Sequence, residues 1–161
     1  MTSRQTKVLE QAKSHIGSTN WSPNSIRTSS DGKTTFLIGE PKCNLFVYEM
    51  LVAGGVQQEL PNTAGRVASL FLNFICSKSR PSCCSDWYNF KVPNMTYVGQ
   101  GIDALNKSLP GDIITNGKHI GIISGPQKTI SASYDEGRIV ENDWGWRSDH
   151  LNDMRIFRYH S

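Results

Sequence analysis

Cys43 and His119 are the two residues of this 161-residue chain whose types and settings suit nucleophilic chemistry. Cys43 stands directly after Pro41-Lys42, at the head of the stretch Lys42 to Ala53 (KCNLFVYEMLVA). That stretch has helical spacing and closes on Gly54-Gly55, a strong helix stop. A thiol at a helix start meets free N–H groups and the positive end of the helix dipole, which lower its pKa and raise the thiolate fraction. The thiolate also needs a base that takes its proton and returns it to the leaving group. His119 opens the apolar run Ile120-Gly121-Ile122-Ile123, which would fix its backbone in a sheet. The chemistry of such a pair is acyl transfer. Cys43 attacks an amide carbonyl, and donors that include its own backbone N–H hold the oxyanion. His119 protonates the departing amine, and water hydrolyses the thioester. No metal or cofactor is required.

Three further cysteines, Cys76, Cys83 and Cys84, cluster together in sequence. Zinc sites favour paired C-x-x-C units, and none exists here; the side chains of adjacent cysteines diverge. These three are expected to shape a loop, with a disulfide from Cys76 to Cys83 or Cys84 in an oxidising compartment.

Periodicity supplies the elements that must position the pair. Residues 4–16 read as an amphipathic helix with Val8, Leu9, Ala12 and Ile16 on one side. Residues 17–34 read as loop, and Thr35 to Ile38 as a short strand. A helix over Lys42 to Ala53 is followed by another over Asn62 to Ile75, capped by Asn62 or Thr63. Residues 77–96 are polar and irregular. Strands are then expected over 112–115, 119–124, 129–133, 138–141 and 154–159, joined by short turn-forming links. Helices first and an antiparallel meander after is the α+β signature. The expected layout is one domain over 1–161: a helical half to about 76, an insert over about 77–100, and a sheet half over about 109–160.

Composition narrows the function classes. Four Trp, six Phe and five Tyr argue against disorder. No apolar run approaches the length of a membrane span, and recurrent Gly and Pro exclude a coiled coil. A net charge of +3 is too small to argue for nucleic acid but suits an anionic polymer. The first residues carry no apolar signal core.

The segments Lys42-Cys43-Asn44-Leu45-Phe46-Val47, Leu109-Pro110-Gly111-Asp112-Ile113-Ile114 and His119-Ile120-Gly121-Ile122-Ile123-Ser124-Gly125 resemble, in this order, the motifs of NlpC-type and CHAP-type cysteine peptidases. The resemblance covers about residues 40 to 145. It implies a papain-like fold, with N-terminal helices packed on a C-terminal antiparallel sheet. It further implies Cys43 as nucleophile, His119 as general base and acid, and peptidoglycan stem peptides as substrate. The small size and absent wall-binding repeat are similar to the amidase effectors that bacteria deliver through type VI secretion. Such an effector is made in the cytoplasm without a signal peptide and acts in the periplasm of target bacteria. Its expected partner is a cognate immunity protein, with no nucleic acid and no membrane insertion.

The family places a polar group on the strand after the His strand. With Gly125-Pro126-Gln127 as the hairpin loop, His119 falls opposite Ser133, the expected third residue. A one-residue slip brings Tyr134 across, a wider turn Asp135, and a returning strand Asn142 or Asp143. Trp144 and Arg147 are the candidates for the substrate groove, Arg147 facing a stem-peptide carboxylate. Trp21 is expected near the nucleophile, because its loop precedes the Cys43 helix. Asp112 is expected to make turn hydrogen bonds rather than chemistry.

Overall fold

α1 (Ser3–Ser14) starts on a reciprocal cap. Gln5 N–H donates to Thr2 Oγ1 at 3.2 Å, and Thr2 N–H donates back to Gln5 Oε1 at 2.8 Å. Two orphan helix donors are thereby satisfied. Val8, Leu9 and Ala12 form its buried stripe, whereas Ile16 lies past the helix end and is exposed. The computed structural model describes residues 2–56 and 81–159. The expected helix over 62–75 and Cys76 lie outside the described residues.

Two short strands follow, β1 (Arg27–Thr28) and β2 (Thr35–Phe36), paired as a small ribbon. β2 stops at Phe36, short of the expected strand to Ile38; Leu37 and Ile38 are exposed. α2 (Cys43–Ala53) is apolar on nearly every side, and Leu45, Phe46, Val47 and Leu51 are completely buried. A helix without a polar face must be covered all round. α1 lies on one side of it and the sheet on another. Gly54 allows the close helix crossing: a Cβ there would stand 2.2 Å from Val8 Cγ2.

α3 (Cys84–Tyr88), β3 (Met95–Gln100) and α4 (Gly101–Lys107) follow in chain order. They correct the expectation of irregular structure over 77–96 and of an insert outside the sheet up to 100. β3 pairs with the sheet along its length, with a register shift between Tyr97 and Gly99. That irregularity, and a strand with no buried residue to mark one face, conceal it from an alternation test.

The remaining strands are β4 (Ile113–Thr115), β5 (Ile120–Gly125), β6 (Lys128–Ser133), β7 (Arg138–Asn142) and β8 (Arg155–Tyr159). They sit close to the expected positions. The order is β3-β8-β4-β5-β6-β7, and every pairing is antiparallel. The chain is therefore mixed α+β. Ile113, Ile120, Ile122 and Ile130 pack with α1 and α2, while Ile114, Ile123 and Ile156 pack with Ala104, Leu105 and Trp144. Both faces of the sheet are covered, which explains its near-continuous isoleucine runs. Asp112, fully buried before β4, takes a fork from Arg158 (2.8 and 2.6 Å), plus bonds from Gln5 Nε2 (3.0 Å) and Leu109 N–H (2.8 Å). It joins α1, the 109–112 turn and β8, consistent with its expected turn role. Among the described residues, no helix is long and apolar enough to cross a membrane.

Candidate active site

Cys43 is the first residue of α2, and its thiol is buried. Two features fix the backbone that presents it. Lys42, the residue before, is 2% exposed and donates from Nζ to the carbonyls of Leu37 (3.0 Å) and Glu40 (3.1 Å). Burial pushes the Lys42 pKa down, against the opposing charge of Glu40. On the helix side, Phe46 N–H donates to Lys42 O at 2.9 Å, closing the first turn. The N–H groups ahead of Phe46 in that turn have no intrahelical acceptor and face a species placed at the helix head.

His119 is held by the loop between β4 and β5. Asn116 Oδ1 accepts from both Lys118 N–H (3.0 Å) and His119 N–H (2.8 Å). Thr115 Oγ1 donates to His119 O at 2.7 Å and accepts from Gly117 N–H at 3.0 Å. Both backbone polar groups of His119 are thus engaged locally. Trp144 meets the imidazole edge to face, with ring centroids 4.6 Å apart. His119 Nε2 lies 3.0 Å from Ser131 Oγ, which leaves Nδ1 as the ring nitrogen not taken by the serine.

Three groups hold the Cys43 pKa well below the ordinary thiol value. The largest cause is a hydrogen bond from the Cys84 thiol, whose Sγ is 3.5 Å from Cys43 Sγ. Burial opposes it; the hydrogen bond and positive charge of His119 and the Asn44 N–H reinforce it. The Cys84 pKa moves the other way, well up, because Cys84 donates its S–H and is buried beside the charge at Cys43. Both shifts favour the negative charge on Cys43 and the proton on Cys84.

No protein-family model matches the chain, and no curated protein or solved structure matches it.

Two cavities open at Cys43. One, of about 170 Å3, is lined by Trp21, Lys42, Cys43, His119 and Ser133 among others. The other, of about 560 Å3, is lined by Phe36, Ile38, Asn44, Cys83 and Cys84, and again by Cys43. Pro41 and Lys118 border both. Cys43 therefore sits at the junction of a small and a large recess, an arrangement able to receive the two sides of one scissile bond.

Several expected site residues stand elsewhere. The hydroxyl on His119 is that of Ser131, not Ser133. Ile122 pairs with Ile130, so Ser133 does lie across from His119 by continuation of that register. Its hydroxyl, however, accepts Glu136 N–H at 3.1 Å and caps the turn. The imidazole instead reaches Ser131, the diagonal neighbour on the same face of β6. Gly121 keeps that diagonal open, since a Cβ there would stand 3.1 Å from Ser131 Cβ and 2.5 Å from Thr129 Cγ2. Asp135 is exposed, Asn142 Oδ1 accepts Trp144 N–H, and Asp143 pairs with Arg147 at 3.0 Å. Trp144 belongs to the hydrophobic cluster behind His119, and neither it nor Arg147 lines the two cavities. Trp21 does line the smaller one. Sequence proximity groups Cys84 with a loop, yet the fold brings it to Cys43. Two signals existed for the missed residues: Ser131 is a polar residue inside a buried strand, and Cys84 is a thiol in a chain with few thiols. Among the described residues, no group of three His, Cys, Asp or Glu is suited to a metal ion.

Proposed function

We propose that the protein is a papain-like cysteine amidase that cleaves amide bonds in the stem peptides or cross-links of bacterial peptidoglycan. The observation that carries this reading is a thiolate-stabilising helix start at Cys43, set against a histidine anchored by Ser131 and opening onto a two-part cleft. Cys43 attacks the carbonyl carbon, and the oxyanion forms at the head of α2, where backbone N–H groups point outward. The imidazole of His119 delivers a proton to the departing amine and later takes one from the water that opens the thioester. Ser131 and Trp144 keep the ring in place through these transfers.

The peptidoglycan substrate rests on the Cys43, Pro110-Gly111-Asp112 and His119 motifs. Delivery into a rival's periplasm through type VI secretion, and a cognate immunity protein that plugs the cleft, belong to the same reading. The test compares the wild type with Cys43→Ala on isolated sacculi, with released fragments identified by mass spectrometry. Release by the wild type and none by the variant is the expected result. Equal release would remove the proposal. The fragments themselves identify the bond.

A further inference from the structure

We propose that Cys43 and Cys84 form a reversible redox pair, in which a peroxide converts the nucleophile into a disulfide with Cys84. The mechanism above uses one thiol, yet a second buried thiol stands 3.5 Å from it, brought there by a different element, α3. A disulfide requires about 2.05 Å between sulfurs, so closing the gap takes a movement of about 1.5 Å, within reach of side-chain rotation. Both cysteines line the larger cavity, which gives a small oxidant a route to them.

Thiolate character decides which sulfur is oxidised first, and Cys43 is the one that carries it. Its sulfur attacks hydrogen peroxide: an S–O bond forms, the O–O bond breaks, and hydroxide leaves, giving a sulfenic acid on Cys43. The sulfur of Cys84 then attacks that sulfur. The S–S bond forms, the S–O bond breaks, and the hydroxyl departs as water with the Cys84 proton. The two cysteines supply the two electrons that reduce the peroxide. Cys83 is worse placed to resolve the intermediate. Its Sγ lies 3.0 Å from Ser85 Oγ and 3.1 Å from the Asp86 carboxylate, turned to the cap of α3.

The pair would switch the site off without destroying it. A lone oxidised cysteine advances to sulfinic acid, which ordinary thiols do not reverse, whereas a disulfide returns to two thiols. The experiment treats the whole wild-type chain with hydrogen peroxide at neutral pH, alkylates remaining thiols in denaturant, and maps unreduced peptides by mass spectrometry. A peptide linked through Cys43 and Cys84, abolished by dithiothreitol with full recovery of the Cys43 thiol, is expected. In Cys84→Ser, Cys43 is expected to pass to sulfinic acid, a loss that dithiothreitol does not restore. Any other fate of Cys43 in the wild type overturns the proposal, whether sulfinic acid beside an alkylated Cys84, a link to another cysteine, or an unreacted thiol. The readout needs no substrate, so it stands apart from the outcome on sacculi.

Discussion

Each of the two cysteines at the cleft begins a helix, but the imidazole of His119 acts on Cys43 and the Cys84 S–H donates to it, so the negative charge is favoured on Cys43 and the proton on Cys84. This makes a pH prediction with a definite sign. An acid whose pKa is held down by folding stays ionised below its ordinary value, about 8.5 for a thiol. The associated stability is present above that ordinary value and fades as pH falls through the folded pKa. Alkylation of Cys43 by iodoacetamide should therefore remain fast at neutral pH and decline only in more acidic solution. In Cys84→Ala the midpoint should move upward, since the largest of the stabilising bonds is gone. A profile with an unshifted thiol midpoint in the wild type would contradict the electrostatic account. Ser131 and Ser133 give a second residue-scale test. Loss of the Ser131 hydroxyl should reduce turnover about tenfold, equivalent to roughly 1.4 kcal/mol in the barrier. Ser133→Ala should leave turnover nearly unchanged, as its hydroxyl caps a turn. Cys43 and His119 were readable because helix starts and strand starts leave local marks. Ser131 was not, because register names the residue directly opposite, while a long ring on a twisted sheet reaches the diagonal one.

Elements are tied to one another by a few contacts whose removal should be measurable. Asp112 is fully buried and gathers bonds from α1, β8 and its own turn. Asp112→Ala leaves the Arg158 guanidinium without its carboxylate and should cost about 3 kcal/mol in denaturant unfolding. Native-state alkylation of Cys43 should stay near normal in the folded fraction, because Asp112 touches neither cysteine nor histidine. Gly54 tests the helix crossing. Gly54→Ala forces a methyl into Val8 and should destabilise by about 1–3 kcal/mol. Adding Val8→Ala should recover part of that loss, a non-additive result that a backbone effect alone would not give. α1, α2 and the meander were legible: α1 from its apolar stripe, α2 from an apolar run closed by Gly54-Gly55, and the strands from short apolar runs bounded by turn residues. β3 was hidden by its bulge and by the lack of a buried face, so the sheet gained an edge that no alternation signalled.

At the scale of the molecule, the cleft is assembled from distant parts of the chain: the loop ending at Pro41, α2, α3, the β4–β5 loop and the end of β6. A proteinaceous inhibitor seated there should shield Cys43 from iodoacetamide, so protection of that single thiol on mixing would locate the partner. The sheet-forming run from β4 to β8 was plain from sequence, but the meeting of α3 with α2 was not. That contact joins residues far apart in the chain, and no local pattern records it. The position of β8 has a separate consequence. It is the last of the described strands to be made, yet it sits between β3 and β4. Until residues 155–159 leave the ribosome, Ile113–Thr115 presents an open, apolar edge to any strand nearby. A nascent chain stalled before that point should be sticky, and a translation pause there would favour aggregation over folding.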